Sequence, residues 1–85
     1  MSDAATMPVP PYFVVGNPKI GSARKFARFG YDRSEPTYTW DTLEEATKYV
    51  DPRSAKRLLD AVRERSLGGE GAAVYKVDIV IRRIT

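Results

Sequence analysis

The chain has 85 residues, enough for one small domain with a single hydrophobic core. It contains neither cysteine nor histidine, which excludes disulfide bridges and the zinc sites built from those residues. Its formal net charge of +3 is a weaker basic bias than dedicated nucleic-acid-binding proteins usually show.

Enzymatic activity is not expected from this composition. Catalytic triads and the common forms of metal-activated water need histidine or cysteine, and the chain has neither. Its carboxylates fall at helix-capping positions or on a helix face of mixed charge, so no pair of them marks a catalytic cleft. The sequence therefore predicts a non-catalytic protein without metal or cofactor.

The N-terminal segment, residues 1–11, contains Pro8, Pro10 and Pro11 among small residues. This composition predicts a flexible arm ahead of a single domain over residues 12–85. The segment lacks the basic and apolar regions of a secretory signal, and every apolar run of the chain is too short to cross a bilayer. We expect a cytoplasmic protein that does not bind membranes.

Three strands are predicted in the first half of the domain. The apolar run at residues 12–15 predicts the first strand, and turn-forming residues follow at 16–22. Residues 24–29 predict a second strand, and residues 30–36 a loop, because glycine and proline interrupt the pattern there. The β-branched and aromatic residues 37–40 predict a third, short strand.

Two helices are predicted next. Asp41 or Thr42 caps the first, since each is followed by a glutamate three residues later, and Leu43, Ala46 and Val50 recur at helical spacing. The second helix, over residues 52–65, begins with an aspartate cap and a proline at its first position. Its apolar stripe consists of Ala55, Leu58, Leu59 and Val62.

A closing strand completes the domain after Gly68, which is placed to take the left-handed conformation that ends a helix. We expect a small α+β domain in the order β-β-β-α-α-β, with an antiparallel sheet of about four strands and both helices on one face. The predicted core is Phe13, Val15, Trp40, Leu43, Ala46, Val50, Leu58, Leu59, Val62, Tyr75, Val77, Ile79 and Ile81.

The segment GNPKIGS, residues 16–22, has the glycine spacing of a phosphate-binding loop but not its chemistry. Gly21 is followed by serine rather than by the lysine that reaches the phosphates, and Pro18 removes one backbone donor. The following residues predict a strand where the phosphate would need a helix N-terminus. We interpret the segment as a connection between two strands.

Basic and aromatic residues alternate between residues 24 and 33, a combination that can neutralise phosphates and stack on bases. The same residues suit a protein interface, since aromatic and arginine side chains dominate binding hot spots. A third interpretation is that the phenylalanines pack in the core while the cations stay solvated. With one further lysine, the candidate partner-binding residues are Lys19, Arg24, Lys25, Phe26, Arg28, Phe29, Tyr31 and Arg33.

The run YTWDTLEEATKYVDPRSAKRLLDAV, followed by AAVYKVDIV, resembles small bacteriophage and prophage accessory proteins. The matching positions are residues 12–15 and 74–80 with Trp40, Asp41, Glu45, Ala46, Tyr49 and Ala55. Residues 16–36 form a longer insert than the hairpins of that group. The resemblance implies stoichiometric binding to a host protein in the host cytoplasm, and some such proteins, anti-CRISPR proteins among them, block host defence.

Three hypotheses follow for the domain. The first is a binding protein that inhibits or redirects a host protein through the eight candidate residues, docking on an acidic surface or competing with a basic ligand. The second is a nucleic-acid-binding module that uses residues 24–33. The third is self-association through the exposed edge that a small sheet leaves.

Overall fold

The structure, a computed structural model, describes residues 10–65 and 67–78. Its elements are β1 (Tyr12–Gly16), β2 (Phe26–Asp32), β3 (Glu35–Asp41), α1 (Pro52–Glu64) and β4 (Ala73–Val77). The four strands form one antiparallel sheet in the order β3-β2-β1-β4. The predicted four-stranded antiparallel sheet is thus confirmed, whereas the described residues contain one helix rather than two.

The longest part of the sheet is the hairpin formed by β2 and β3, which pair along their whole length. Their connection is a two-residue turn, Arg33 and Ser34, with φ angles of 51° and 69°. The predicted loop over residues 30–36 is wrong outside this turn. Pro36 fits within β3 because β3 is an edge strand, where a residue without an N–H need not interrupt the sheet.

Helix α1 begins as the sequence predicts. The Asp51 carboxylate accepts a 2.9 Å hydrogen bond from the backbone N–H of Arg53, and Pro52 takes the first position, where its missing N–H costs nothing. The predicted apolar stripe is buried and stabilises the fold by about 1.5–3 kcal/mol for each large side chain. The buried residues of the helix are Ala55, Leu58, Leu59 and Val62.

The predicted first helix, over residues 41–50, is wrong. One helical turn forms, in which Ala46 N–H donates to the Thr42 carbonyl at 3.0 Å, and the chain then straightens. The backbone N–H of Thr47 bonds to β2 at 3.1 Å, and Tyr49 exchanges two backbone hydrogen bonds with Phe13 of β1, at 2.7 and 2.9 Å. The helix cannot continue because these backbone groups are bonded to the sheet.

The segment after β3 therefore covers the sheet on the side away from α1. Val15 faces α1, on the side of the sheet that we call the helix face. Tyr12 and Val14 lie on the opposite face, where they pack with Ala46 and with the half-buried Leu43. The expectation that all covering elements share one face is wrong, since both faces carry part of the core.

Two residues of the predicted core are exposed, and two lie outside the described residues. Val50 is 76% exposed because the predicted first helix, which would have buried it, does not form. Tyr75 is 41% exposed because β4 turns it to the opposite face, where cover is partial. Ile79 and Ile81 lie outside the described residues, as does most of the predicted N-terminal arm.

Candidate partner-binding surface

The eight candidate residues do not form one patch. Lys19, Arg24 and Lys25 lie in the loop that joins β1 to β2, and Arg33 lies in the hairpin turn. Side chains alternate between faces along a strand, so Phe26 and Arg28 lie on the opposite face, whereas Phe29 and Tyr31 lie on the helix face. The candidate interface is divided between the two sides of the hairpin.

On the opposite face, Arg24 is paired with a carboxylate and Arg28 lies near one. Arg24 Nη1 lies 2.9 Å from Asp41 Oδ1 and 3.8 Å from a Glu45 oxygen. Arg28 lies 4.0 Å from the other Glu45 oxygen, and the Thr39 hydroxyl donates to Asp41 at 2.6 Å. These contacts reduce the positive charge that residues 24–33 present to a phosphate backbone.

The loop between β1 and β2 has a structural role that the sequence reasoning missed. The buried Asn17 side-chain amide donates to the backbone carbonyls of Gly68, at 2.7 Å, and Glu70, at 3.1 Å. Its side-chain oxygen accepts from the Lys19 N–H at 3.0 Å, and the Lys19 ammonium lies 3.8 Å from the Glu70 carboxylate. Asn17 therefore clamps this loop to the glycine-rich loop after α1, where Gly68 has the predicted positive φ of 78°.

On the helix face, a groove of about 300 Å³ lies between α1 and the β2–β3 hairpin. Phe29 and Tyr38 line its hairpin side, with their ring centroids 5.3 Å apart. The Tyr31 ring meets Phe29 edge-on at 5.0 Å and is 70% exposed, so the aromatic row continues outward towards the hairpin turn. We call this site the aromatic groove; it is lined by Phe29, Tyr38, Tyr49, Ser54, Arg57, Leu58 and Ala61.

The aromatic groove exists because α1 covers only part of the sheet. The helix packs mainly over β1 and β4, so it leaves the distal part of the hairpin without cover. Tyr31 and Tyr38 consequently keep apolar surface in contact with water next to the core. Contiguous exposed aromatic surface of this kind is typical of binding sites.

Two arginines give the aromatic groove its charge. Arg57 lines the groove from α1, and the Arg65 guanidinium lies 5.1 Å from the centroid of the Tyr38 ring, a cation–π contact. No carboxylate of the described residues lies within 4.0 Å of either guanidinium. The described lining of the groove thus carries one cation, Arg57, and no carboxylate, and Arg65 adds a second cation beside the Tyr38 ring, in contrast to the opposite face, where the arginines lie near carboxylates.

Burial shifts the pKa values of two neighbouring residues, Tyr49 of the aromatic groove and Lys48. Burial raises the pKa of the Tyr49 phenol, and the nearby Tyr38 raises it further. Burial lowers the pKa of Lys48, an effect that the Glu44 carboxylate partly opposes. Tyr49 therefore stays a neutral hydrogen-bonding group in the aromatic groove throughout the physiological pH range.

A second concavity, of about 260 Å³, lies on the opposite face. Phe26 and Tyr75 form its walls and close over Gly16, where a Cβ atom would come within 3.2 Å of the Tyr75 ring. Its other lining residues are Val14, Asn17, Pro18, Lys25, Leu43 and Val77. Of the candidate residues, Lys25 and Phe26 belong to this pocket, and Phe29 belongs to the aromatic groove.

The described residues contain no group of three or more histidine, cysteine, aspartate or glutamate side chains placed to hold a metal ion. Among them, no helix has the length and apolar character needed to span a bilayer. The chain matches no protein-family model, and comparison with curated proteins and with solved structures also gives no match. Function is therefore inferred from the surface of the domain itself.

Proposed function

We propose that the protein is a small, non-catalytic binding protein. It forms a complex of fixed stoichiometry with a partner protein, which binds at the aromatic groove. The supporting observation is an aromatic row beside the core that α1 covers only in part: Tyr31 is exposed, and Phe29 and Tyr38 are half-buried. In line with the resemblance to phage accessory proteins, the partner is a host protein, for example of a defence system, that is inhibited or redirected.

The energetics of such an interface favour this surface over the opposite face. Burying an exposed aromatic side chain such as Tyr31 contributes roughly 2 kcal/mol or more where it fills a pocket on the partner. Arg28 and Arg24 already have carboxylate partners, so a binding protein would have to compete with Asp41 and Glu45 for them.

Nucleic acid is the second candidate partner. Aromatic rings beside the arginines Arg57 and Arg65 resemble the stacking platforms that bind single strands. The carboxylates near Arg24 and Arg28 count against this candidate, because they offset part of the positive charge of residues 24–33. Binding to nucleic acid would weaken steeply with salt, whereas an aromatic protein interface would not.

Self-association is the third candidate. The strand order leaves β3 and β4 at the edges of the described sheet, and an edge strand offers unpaired backbone groups to a second copy. Pro36 removes one donor from β3 and makes that edge a poorer template. A mass that rises with protein concentration in light scattering would identify this mode.

The test of the proposed function is capture followed by reconstitution. Tagged wild-type protein and Tyr31→Ala are used to capture partners from lysate of the host or source cells, and a protein found only with the wild type is then purified. We expect a stable complex of defined stoichiometry by light scattering that persists at about 0.3 M salt, although charge pairs at its edge weaken. The proposal fails if no purified protein forms a complex, or if short oligonucleotides alone bind tightly at low salt.

A further inference from the structure

We propose that the aromatic groove takes an acidic segment of the partner protein, in an extended conformation, with carboxylates on Arg57 and Arg65 and an apolar side chain between them. This inference rests on the proposed function and names the chemistry of the partner. It is carried by two arginines without carboxylate partners among the described residues: Arg57 lines the aromatic groove, and Arg65 lies over the ring of the lining residue Tyr38.

The two arginines are spaced for a defined ligand. Arg57, Ala61 and Arg65 follow one another at intervals of four residues, so they lie along one side of α1 and its C-terminal cap. Eight residues of helix rise by about 12 Å, and an extended peptide covers that length in roughly three to four residues. The geometry points to two acidic residues separated by three or four positions.

The space between the arginines suits an apolar side chain. Ala61 is small, and Leu58 lies beside it at the helix side of the aromatic groove. Phe29 and Tyr38 form the facing wall, so a side chain entering here meets apolar atoms on both sides. A cavity of about 300 Å³ accommodates one large aromatic or aliphatic side chain with part of its backbone.

The charge of the aromatic groove selects against other ligands. A basic segment would meet like charges at Arg57 and Arg65, and no described lining residue carries a carboxylate that would offset them. The Arg65 guanidinium lies over the Tyr38 ring and has no carboxylate of the described residues within 4.0 Å, so its N–H donors remain available to an acceptor. Each carboxylate can therefore bind through paired hydrogen bonds.

The experiment selects ligands from a random library of displayed peptides about twelve residues long, using the wild-type protein and, in parallel, Arg57→Glu. We expect peptides enriched on the wild type to carry two carboxylates three or four positions apart with an aromatic or aliphatic residue between them. Synthetic copies should lose about tenfold in affinity when their acids become amides, and a similar factor on Arg57→Gln. Circular dichroism checks that both variants fold.

Amide chemical shifts then locate the bound peptide. We expect the largest changes at Ser54, Ala61 and Tyr38, with little change at Arg28 on the opposite face. Enrichment of neutral or basic peptides, or binding at the opposite face, would overturn this inference while leaving a binding function in place. Failure to enrich any peptide would also overturn it. The capture and reconstitution experiment would then test the proposed function independently.

Discussion

Thr47 joins strand β2 through Phe29: the Thr47 Oγ1 accepts a 2.7 Å hydrogen bond from the Phe29 backbone N–H. The Thr47 backbone N–H in turn donates to the carbonyl of Ala27 at 3.1 Å. Two residues later Tyr49 pairs with Phe13 of β1. These residues bridge β1 and β2 where the strands no longer pair directly, and they fix Phe29 and Tyr49 at the aromatic groove.

Replacing Thr47 by valine should lower the free energy of unfolding by about 1–2 kcal/mol, because the Phe29 N–H loses its acceptor at nearly unchanged side-chain volume. Thr47→Ser keeps the hydroxyl and should lose much less. Urea denaturation of the three proteins measures the difference, and hydrogen exchange at the Phe29 amide should accelerate in the valine variant alone. Equal stability of the valine and serine variants would contradict this role.

Replacing Asn17 by alanine should lower the free energy of unfolding by about 1–3 kcal/mol. The reason is the loss of the amide that bonds the Gly68 and Glu70 carbonyls. Lys19→Gln is the matched control: it removes only the exposed ion pair with Glu70 and should change stability by less than about 0.5 kcal/mol. Urea denaturation measures both variants. A larger loss of stability for Lys19→Gln than for Asn17→Ala would contradict the role of Asn17 in connecting the two loops.

The hairpin turn stores backbone strain that glycine would relieve. Ser34 has φ of 69°, in the left-handed region that is unfavourable for residues with a Cβ atom. Ser34→Gly should raise the free energy of unfolding by about 0.5–1 kcal/mol, after allowing for the greater freedom of glycine in the unfolded chain. Ser34→Ala keeps the strain and should bring no gain. Thermal melting of the two variants distinguishes these outcomes.

Tyr49 should make stability fall in alkaline solution. Its pKa is raised in the folded protein, so the unfolded chain loses the proton first as the pH increases. Its contribution is therefore complete below about pH 10 and is lost as the pH rises from there through the pKa of the folded state. The free energy of unfolding of the wild type, minus that of Tyr49→Phe, should decrease over this interval. Urea denaturation from pH 8.5 to 11 measures it; a difference independent of pH would contradict the burial of Tyr49.

Local sequence signals were sufficient to predict α1. Its start depends on Asp51 and Pro52, which act within one turn, and its buried stripe follows from helical spacing. The predicted first helix had similar local signals at Leu43 and Ala46, yet Thr47 and Tyr49 bond to strands that are distant in the chain. Whether a short helix or hydrogen bonds to the sheet form here depends on contacts with distant strands, so a local sequence pattern cannot predict the outcome.

The aromatic groove was predictable only in part. Phe29 and Tyr31 belong to the candidate residues, and their even spacing places them on one face of a strand. Phe26 and Phe29 differ by an odd number of positions, so the strand period already separates them onto two faces. Tyr49 and Arg57 come from other segments, and only the position of α1 against the hairpin brings them to the site.

The central claim is that the partner binds on the helix face of the hairpin, and calorimetry with a purified partner tests it most directly. Tyr31→Ala removes an exposed ring on that face, whereas Arg28→Gln alters an exposed cation on the opposite face. We predict that Tyr31→Ala weakens binding by about thirtyfold, equivalent to about 2 kcal/mol, and that Arg28→Gln changes it by less than about threefold. Unchanged binding by Tyr31→Ala together with a large loss for Arg28→Gln would contradict the account.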